Sequence, residues 1–120
     1  MIYLELEDLL ALCRDLGDLP VRDLGLLEAA ARRPATTLFG NEAYPSVFEK
    51  AAVLLESITR NDAFVNGNKR HGWLSMYVFL AVNDHDLDPP DDAAYDLVIA
   101  VSTGELDHKA AAAILQGWVR

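Results

Sequence analysis

Residues Asn61 to Arg70 read NDAFVNGNKR and gather the groups best suited to hold an anion. Gly67 lets a phosphate approach the main chain without a Cβ in the way. If a helix begins there, its free N–H groups point outward with the positive end of the macrodipole. Lys69 is a mobile point charge, whereas the planar fork of Arg70 can hold two phosphate oxygens at once. Asn66 and Asn68 can donate to phosphate or offer a carbonyl to hydrated magnesium. Phe64, set among polar neighbours, reads as an apolar anchor that fixes the shape of the loop. Asn, Gly and a solvated Lys-Arg pair are also ordinary loop residues, and the run lacks the rest of a Walker-type P-loop and any preceding strand. Asp62 is the odd member, an acid at the entry to a loop suited to anions.

The elements that must position this loop are helical. Leu4, Leu6, Leu9, Leu10 and Leu12 fall mostly at spacings of three and four, which predicts an amphipathic first helix ending near Gly17. A second runs from Asp23, a capping residue, to Arg33, where Pro34 stops it. Residues 34–43 lack helical periodicity and read as a surface loop or flap, with a small hairpin as the alternative. Tyr44 to Arg60 carries a broad stripe of Val47, Phe48, Ala51, Leu54, Leu55 and Ile58, the pattern of a central third helix. The fourth, from near Gly67 to about Val82, is apolar around most of its circumference and is predicted to lie in the centre of a bundle. Asn83 to Asp92 is an acidic, proline-containing turn. A fifth helix follows from about Ala93 to Ser102, closed by Thr103 and Gly104, and the last spans Asp107 to Val119. No segment demands a strand, and no repeat is visible.

A chain of 120 residues is most economically a single domain spanning 1–120. A 52% hydrophobic composition fits a compact globule with an acidic surface, and a net charge of -9 repels nucleic acid and anionic membranes. No direct nucleic-acid or membrane partner is therefore expected. Cys13 is the sole cysteine, so neither an intramolecular disulfide nor a cysteine-based zinc site can form, which suits a reducing, cytoplasmic setting. The first residues lack the basic start of a signal peptide, and the apolar runs are too short to span a bilayer.

Phe64, Asn66, Gly67, Asn68, Lys69 and Arg70 stand in register with the loop pattern His-x-Phe-x-(Asp/Asn)-(Ala/Gly)-Asn-(Lys/Arg)-Arg, and the chain resembles the Fic/Doc family that carries it. VRDLGLLEAAARRP from Val21, YPSVFEKAAVLL from Tyr44, and the helix after the motif running into NDHDLDPPDDAAYDLV look like its short death-on-curing (Doc) branch. The resemblance implies an all-α Fic fold, a helical bundle with the active-site loop before a central helix. It implies a toxin of a type II toxin–antitoxin pair that uses ATP with Mg2+ to transfer phosphate to a threonine hydroxyl of elongation factor Tu, stalling translation. Many Fic proteins transfer AMP instead, and an inactive antitoxin-binding module is the other alternative. The expected partner is a small Phd-type antitoxin whose C-terminal segment folds over the site, and residues 34–43 correspond in position to the family's substrate-docking flap. Carried over by position, Gly67, Asn68, Lys69 and Arg70 bind the nucleotide phosphates and Asn66 holds the place of the metal-binding acid.

Asp62 occupies the place of the family's histidine base. Imidazole accepts and returns a proton near neutral pH; aspartate is a weaker base. Protein kinases nevertheless use an aspartate here, because a loose phosphoryl transition state needs orientation more than basicity. Against this, a carboxylate reaches less far than an imidazole, and misplacement by about 1 Å can cost around a hundredfold. It also sets an anion beside phosphates. The expectation is a catalytically impaired chain, with Asp62 as a magnesium ligand a lesser use. Of the histidines, His71 reads as a packing or phosphate-shell residue, and His85 and His108 as solvent-facing. Trp73 and Trp118 read as core.

Overall fold

The Glu5 N–H donates to Asp8 Oδ2 at 2.8 Å and starts α1 (Leu6–Asp15) in this computed structural model, which describes residues 1–120. Asp23 caps α2 (Leu24–Arg32) by accepting from the Leu26 N–H at 3.1 Å. Pro34 then tightens the chain into a 3-10 turn, Arg33–Ala35. Ser46 caps α3 (Val47–Asn61), and Asp107 caps the last helix. Between the loop and that helix lie α4 (Asn68–Val82) and α5 (Ala93–Thr103), α5 being ended by Gly104 in the left-handed region; α6 is His108–Gly117. The fold is all-α in class, as the helical periodicities predict.

Of the two readings of residues 34–43 the structure takes the alternative, a small antiparallel hairpin of β1 (Thr37–Leu38) with β2 (Asn41–Glu42). Phe39 and Gly40 form its two-residue turn, each with positive φ, so Phe39 holds a backbone conformation that side-chain-bearing residues rarely adopt. Its ring stands fully exposed at the tip.

The centre of the bundle falls to α3, as its apolar stripe predicts, and not to α4. Every residue from Lys50 to Thr59 is buried, so α3 is the axis of the molecule, with α2, α4, α5, α6 and the 3-10 turn around it. Helix α4 buries His71, Gly72, Ser75, Met76, Phe79 and Leu80 on one side, but leaves Trp73, Leu74, Tyr77 and Val78 only partly covered. Polar residues on α3 reach the interior because they are paired there. Lys50 Nζ donates to Glu42 Oε1 at 3.0 Å and to the Tyr44 carbonyl. Glu56 meets Arg33 Nη1 at 2.7 Å and Arg60 Nη1 at 3.5 Å. These pairs tie the foot of the hairpin and the 3-10 turn to the central helix.

The α3–α4 contact has no slack at Gly72. A Cβ there would sit 2.8 Å from Thr59 Cγ2, a methyl held in place because Thr59 Oγ1 donates to the Leu55 carbonyl at 2.9 Å. Alanine would improve helix propensity by about 1 kcal/mol, but overpacking costs about 1–3 kcal/mol. Gly72→Ala is therefore expected to destabilise the fold by on the order of 1 kcal/mol, a lower denaturation midpoint at unchanged m-value being the readout.

Candidate phosphate-binding site

The loop between α3 and α4 is held from two sides. Helix α3 ends on Asp62, whose φ of 53° and ψ of 46° place it in the left-handed region and turn the chain sharply. On one side lies the stretch before α2: Val21 and Phe64 form an antiparallel bridge. The Arg22 and Asp23 N–H groups donate to the Ala63 carbonyl at 2.7 and 3.0 Å, and the Val65 N–H donates to the Pro20 carbonyl at 3.0 Å. The Arg22 guanidinium also donates through Nη2 to the Asp62 carbonyl, fixing the left-handed peptide. On the other side Asn68 clamps Phe64. Its Oδ1 accepts from the Phe64 N–H at 3.1 Å and its Nδ2 donates to the Phe64 carbonyl at 3.0 Å. The Phe64 ring is buried and packs 4.5 Å, centroid to centroid, from His71, so it anchors the loop as its setting implied.

Above this scaffold the groups suited to an anion are unspent. No acceptor within the chain takes the N–H of Asn66, Gly67, Asn68, Lys69 or Arg70. Gly67 has φ of 77°, and a Cβ there would meet Leu19 Cδ2 at 2.8 Å and Arg70 Nη2 at 3.2 Å. The guanidinium of Arg70 thus lies against the glycine. Lys69 and Arg70 are exposed and pair with no carboxylate, whereas Arg32, Arg33, Lys50 and Arg60 all do. Free N–H groups at the start of a 15-residue helix, with two uncommitted cations beside them, are groups suited to an anion in an otherwise acidic protein. The two cations also rim a groove of about 410 Å³ between α1, α4 and α5, lined by Leu16, Trp73, Leu74, Val98 and Ile99.

A family model for the Fic/DOC family matches residues 3–80. The chain belongs to the Fic/DOC family. It is 44% identical over 120 residues to Toxin Doc of Mycolicibacterium smegmatis (strain ATCC 700084 / mc(2)155), with 97% of this chain and 92% of the relative covered.

Within this Fic/DOC chain the residues read from the loop fall into two groups. Gly67, Lys69 and Arg70 present their N–H groups or charges outward, and Asn66 is exposed with its amide unbonded. Asn68 spends its side chain inside the loop, so what it offers a phosphate is its backbone N–H. Asp62 is exposed and its carboxylate makes no hydrogen bond or ion pair. No group of three His, Cys, Asp or Glu residues is placed to hold a metal ion. The free side-chain oxygens beside the loop are those of Asn66 and Asp62, too few to cage a metal ion by themselves.

His71 lies in the core. Its Nε2 sits 2.8 Å from the Leu9 carbonyl and must carry the proton, leaving Nδ1 to accept from Ser75 Oγ at 3.1 Å. Of its two readings, packing is the one realised. The solvent-facing reading of His85 and His108 fails. Both are half-buried, His85 against Phe48 at 5.1 Å and His108 edge-on to Tyr44 at 5.3 Å, because aromatic faces cover them. Trp73 and Trp118 pack on the core, Trp73 also walling the groove.

Burial pushes the His71 pKa down, with the Leu9 carbonyl acting in the opposite direction. Its unfolded value stays near about 6.5, so as pH falls through that value the unfolded chain takes up a proton that the folded chain refuses. Stability is full above the unfolded pKa and declines as pH falls towards the folded one, by at most about 1.4 kcal/mol per pH unit. Denaturant titrations at neutral and mildly acidic pH are expected to show this slope in the parent and a flatter one in His71→Gln.

Arg22 and Leu19 support the loop from outside it and carry no local signal in the sequence. Arg22 holds the peptide of the candidate base position, and Leu19 lies under Gly67. Arg22→Ala is expected to leave the helices intact but to raise hydrogen exchange at the Val65 amide, whose bond to Pro20 depends on the same pairing.

Proposed function

We propose that this chain is a Doc-like toxin of a type II toxin–antitoxin system. Its scaffold is built for ATP-dependent transfer of phosphate to a threonine hydroxyl of elongation factor Tu, and it is catalytically impaired by Asp62. The observation that carries this reading is the set of unbonded N–H groups from Gly67 to Arg70 beside the unpaired Lys69 and Arg70. In this reading Lys69 and Arg70 take the phosphate oxygens, and the N–H groups stabilise charge on them. Asn66 offers its carbonyl to magnesium, and the apolar groove beside Trp73 beds the nucleotide base. ATP with Mg2+ supplies the transferable phosphoryl group. Position 62 faces the incoming hydroxyl and would orient it and take its proton, a task for which aspartate is short and weakly basic. The likeness to Toxin Doc supports the toxin reading and, with it, a Phd-type antitoxin partner. No helix is long and apolar enough to cross a membrane, which agrees with a cytoplasmic setting.

Labelled ATP tests the chemistry. With Asp62→His and elongation factor Tu, label from the γ position is expected on the target. Label from the α position would instead support adenylyl transfer, the alternative within the family, and neither label would remove the transferase reading. If the parent binds no ATP and a double Lys69→Ala, Arg70→Ala variant still captures the antitoxin, the chain is an antitoxin-binding module.

A further inference from the structure

Asn66 is the one asparagine in the chain followed by glycine, and the structure leaves that dipeptide unprotected. Its neighbours are fastened: Ala63 and Val65 pair with the Pro20–Asp23 stretch, and Asn68 clamps Phe64. Asn66 is exposed, its amide has no partner, and the Gly67 N–H donates to nothing. Gly67 adds no side chain to shield its own nitrogen, and it cannot readily be exchanged, since its φ of 77° strains any residue that carries a Cβ. The features that open the loop to a phosphate also leave Asn66 open to attack by the next backbone nitrogen.

We propose that Asn66–Gly67 is a self-modification site at which spontaneous deamidation converts the neutral amide into a carboxylate and so completes the magnesium-binding position. The Gly67 nitrogen attacks Asn66 Cγ. A C–N bond forms, the bond from Cγ to the amide nitrogen breaks, and ammonia leaves carrying the proton that Gly67 gave up. Water then opens the five-membered imide. Addition at Cγ gives aspartate, and addition at the main-chain carbonyl gives isoaspartate, with one methylene inserted into the backbone. Overall an amide and water become a carboxylic acid and ammonia, with no oxidant or reductant.

The aspartate product would be a hard anionic ligand where the parent has a neutral one, and the positive end of α4 would favour its charge. The chain would thus be made with a weak metal position that strengthens with age. This consequence rests on the proposed placement of magnesium at residue 66, whereas the modification itself does not.

The test uses the full chain, fresh and after prolonged incubation at physiological pH and temperature, beside Asn66→Asp and Asn66→Gln. The tryptic peptide from Asn61 to Lys69 is sequenced by mass spectrometry, its aspartate and isoaspartate forms are separated by chromatography, and ATP affinity is measured with and without Mg2+. The expected result is an amide-to-acid mass gain at residue 66 of the aged parent and none in Asn66→Gln. Mg2+-dependent ATP affinity should also rise several-fold, in step with the aspartate fraction, towards that of Asn66→Asp. An intact Asn66 in the aged folded chain, with conversion only in denaturant, would overturn the site. Conversion without any gain in Mg2+-dependent affinity, with Asn66→Asp equal to the parent, would overturn its role in metal binding. Absence of ATP binding in every form would remove that role too, as well as the phosphate-loop reading beneath it, while the mass readout still decided the modification.

Discussion

Replacing Asp62 by histidine is expected to raise phosphate transfer by about 10²–10⁴-fold, the usual contribution of a positioned general base. The loop around position 62 needs no rebuilding for this. The left-handed turn is set by the backbone and held through the Asp62 carbonyl by Arg22, not by the aspartate side chain, which makes no bond of its own. Histidine is among the residues that tolerate the left-handed region, as aspartate is. An imidazole would extend further from the same Cα and carry no obligatory negative charge towards bound phosphates. The gain is expected mainly in kcat, with a smaller fall in KM from the lost repulsion. Asp62→Asn separates the two effects: it removes the charge without adding a base, so it should improve nucleotide binding while leaving transfer low. A histidine variant no faster than the asparagine one would show that position 62 is not the base.

Asn68→Ala, made in the Asp62→His background, is expected to lower transfer by about a hundredfold, because loosening the loop by about 1 Å misplaces the reacting groups. Both polar atoms of the Asn68 side chain bind the Phe64 peptide, so alanine would leave a donor and an acceptor of a half-buried loop without partners. That costs on the order of 1–3 kcal/mol locally. A side chain that donated directly to phosphate would show its loss chiefly in nucleotide affinity. A clamp shows it in kcat and in faster hydrogen exchange at the Phe64 amide.

The groups suited to an anion were legible in NDAFVNGNKR because they are local: a glycine, a helix start and two cations lie within a few residues. The clamp that shapes the loop was not. Arg22 and Asp62 are 40 positions apart, and a bridge such as Val21 with Phe64 leaves no period in the sequence. The outer helices were readable from periodicity and caps, Asp23 and Asp107 among them. The central place of α3 was readable from its apolar stripe, but the burial of Lys50, Glu56, Ser57 and Thr59 on its remaining faces was not. Lys50, Glu56 and Ser57 are buried through partners contributed by other elements, Glu42 and Arg33 foremost, and Thr59 by donating back to the Leu55 carbonyl. The hairpin was offered only as an alternative to a loop, and Phe39 at a turn position that favours glycine or asparagine gave no stronger signal for it.

The most direct measurement is a calorimetric titration of the parent chain with ATP in the presence of Mg2+, repeated on Arg70→Ala and Lys69→Ala. Binding by the parent despite Asp62, weakened at least tenfold by loss of the Arg70 fork and less by loss of Lys69, is the expected result. No heat of binding in the parent or in Asp62→Asn, or equal affinity in all the chains, would contradict a phosphate-binding loop at the start of α4.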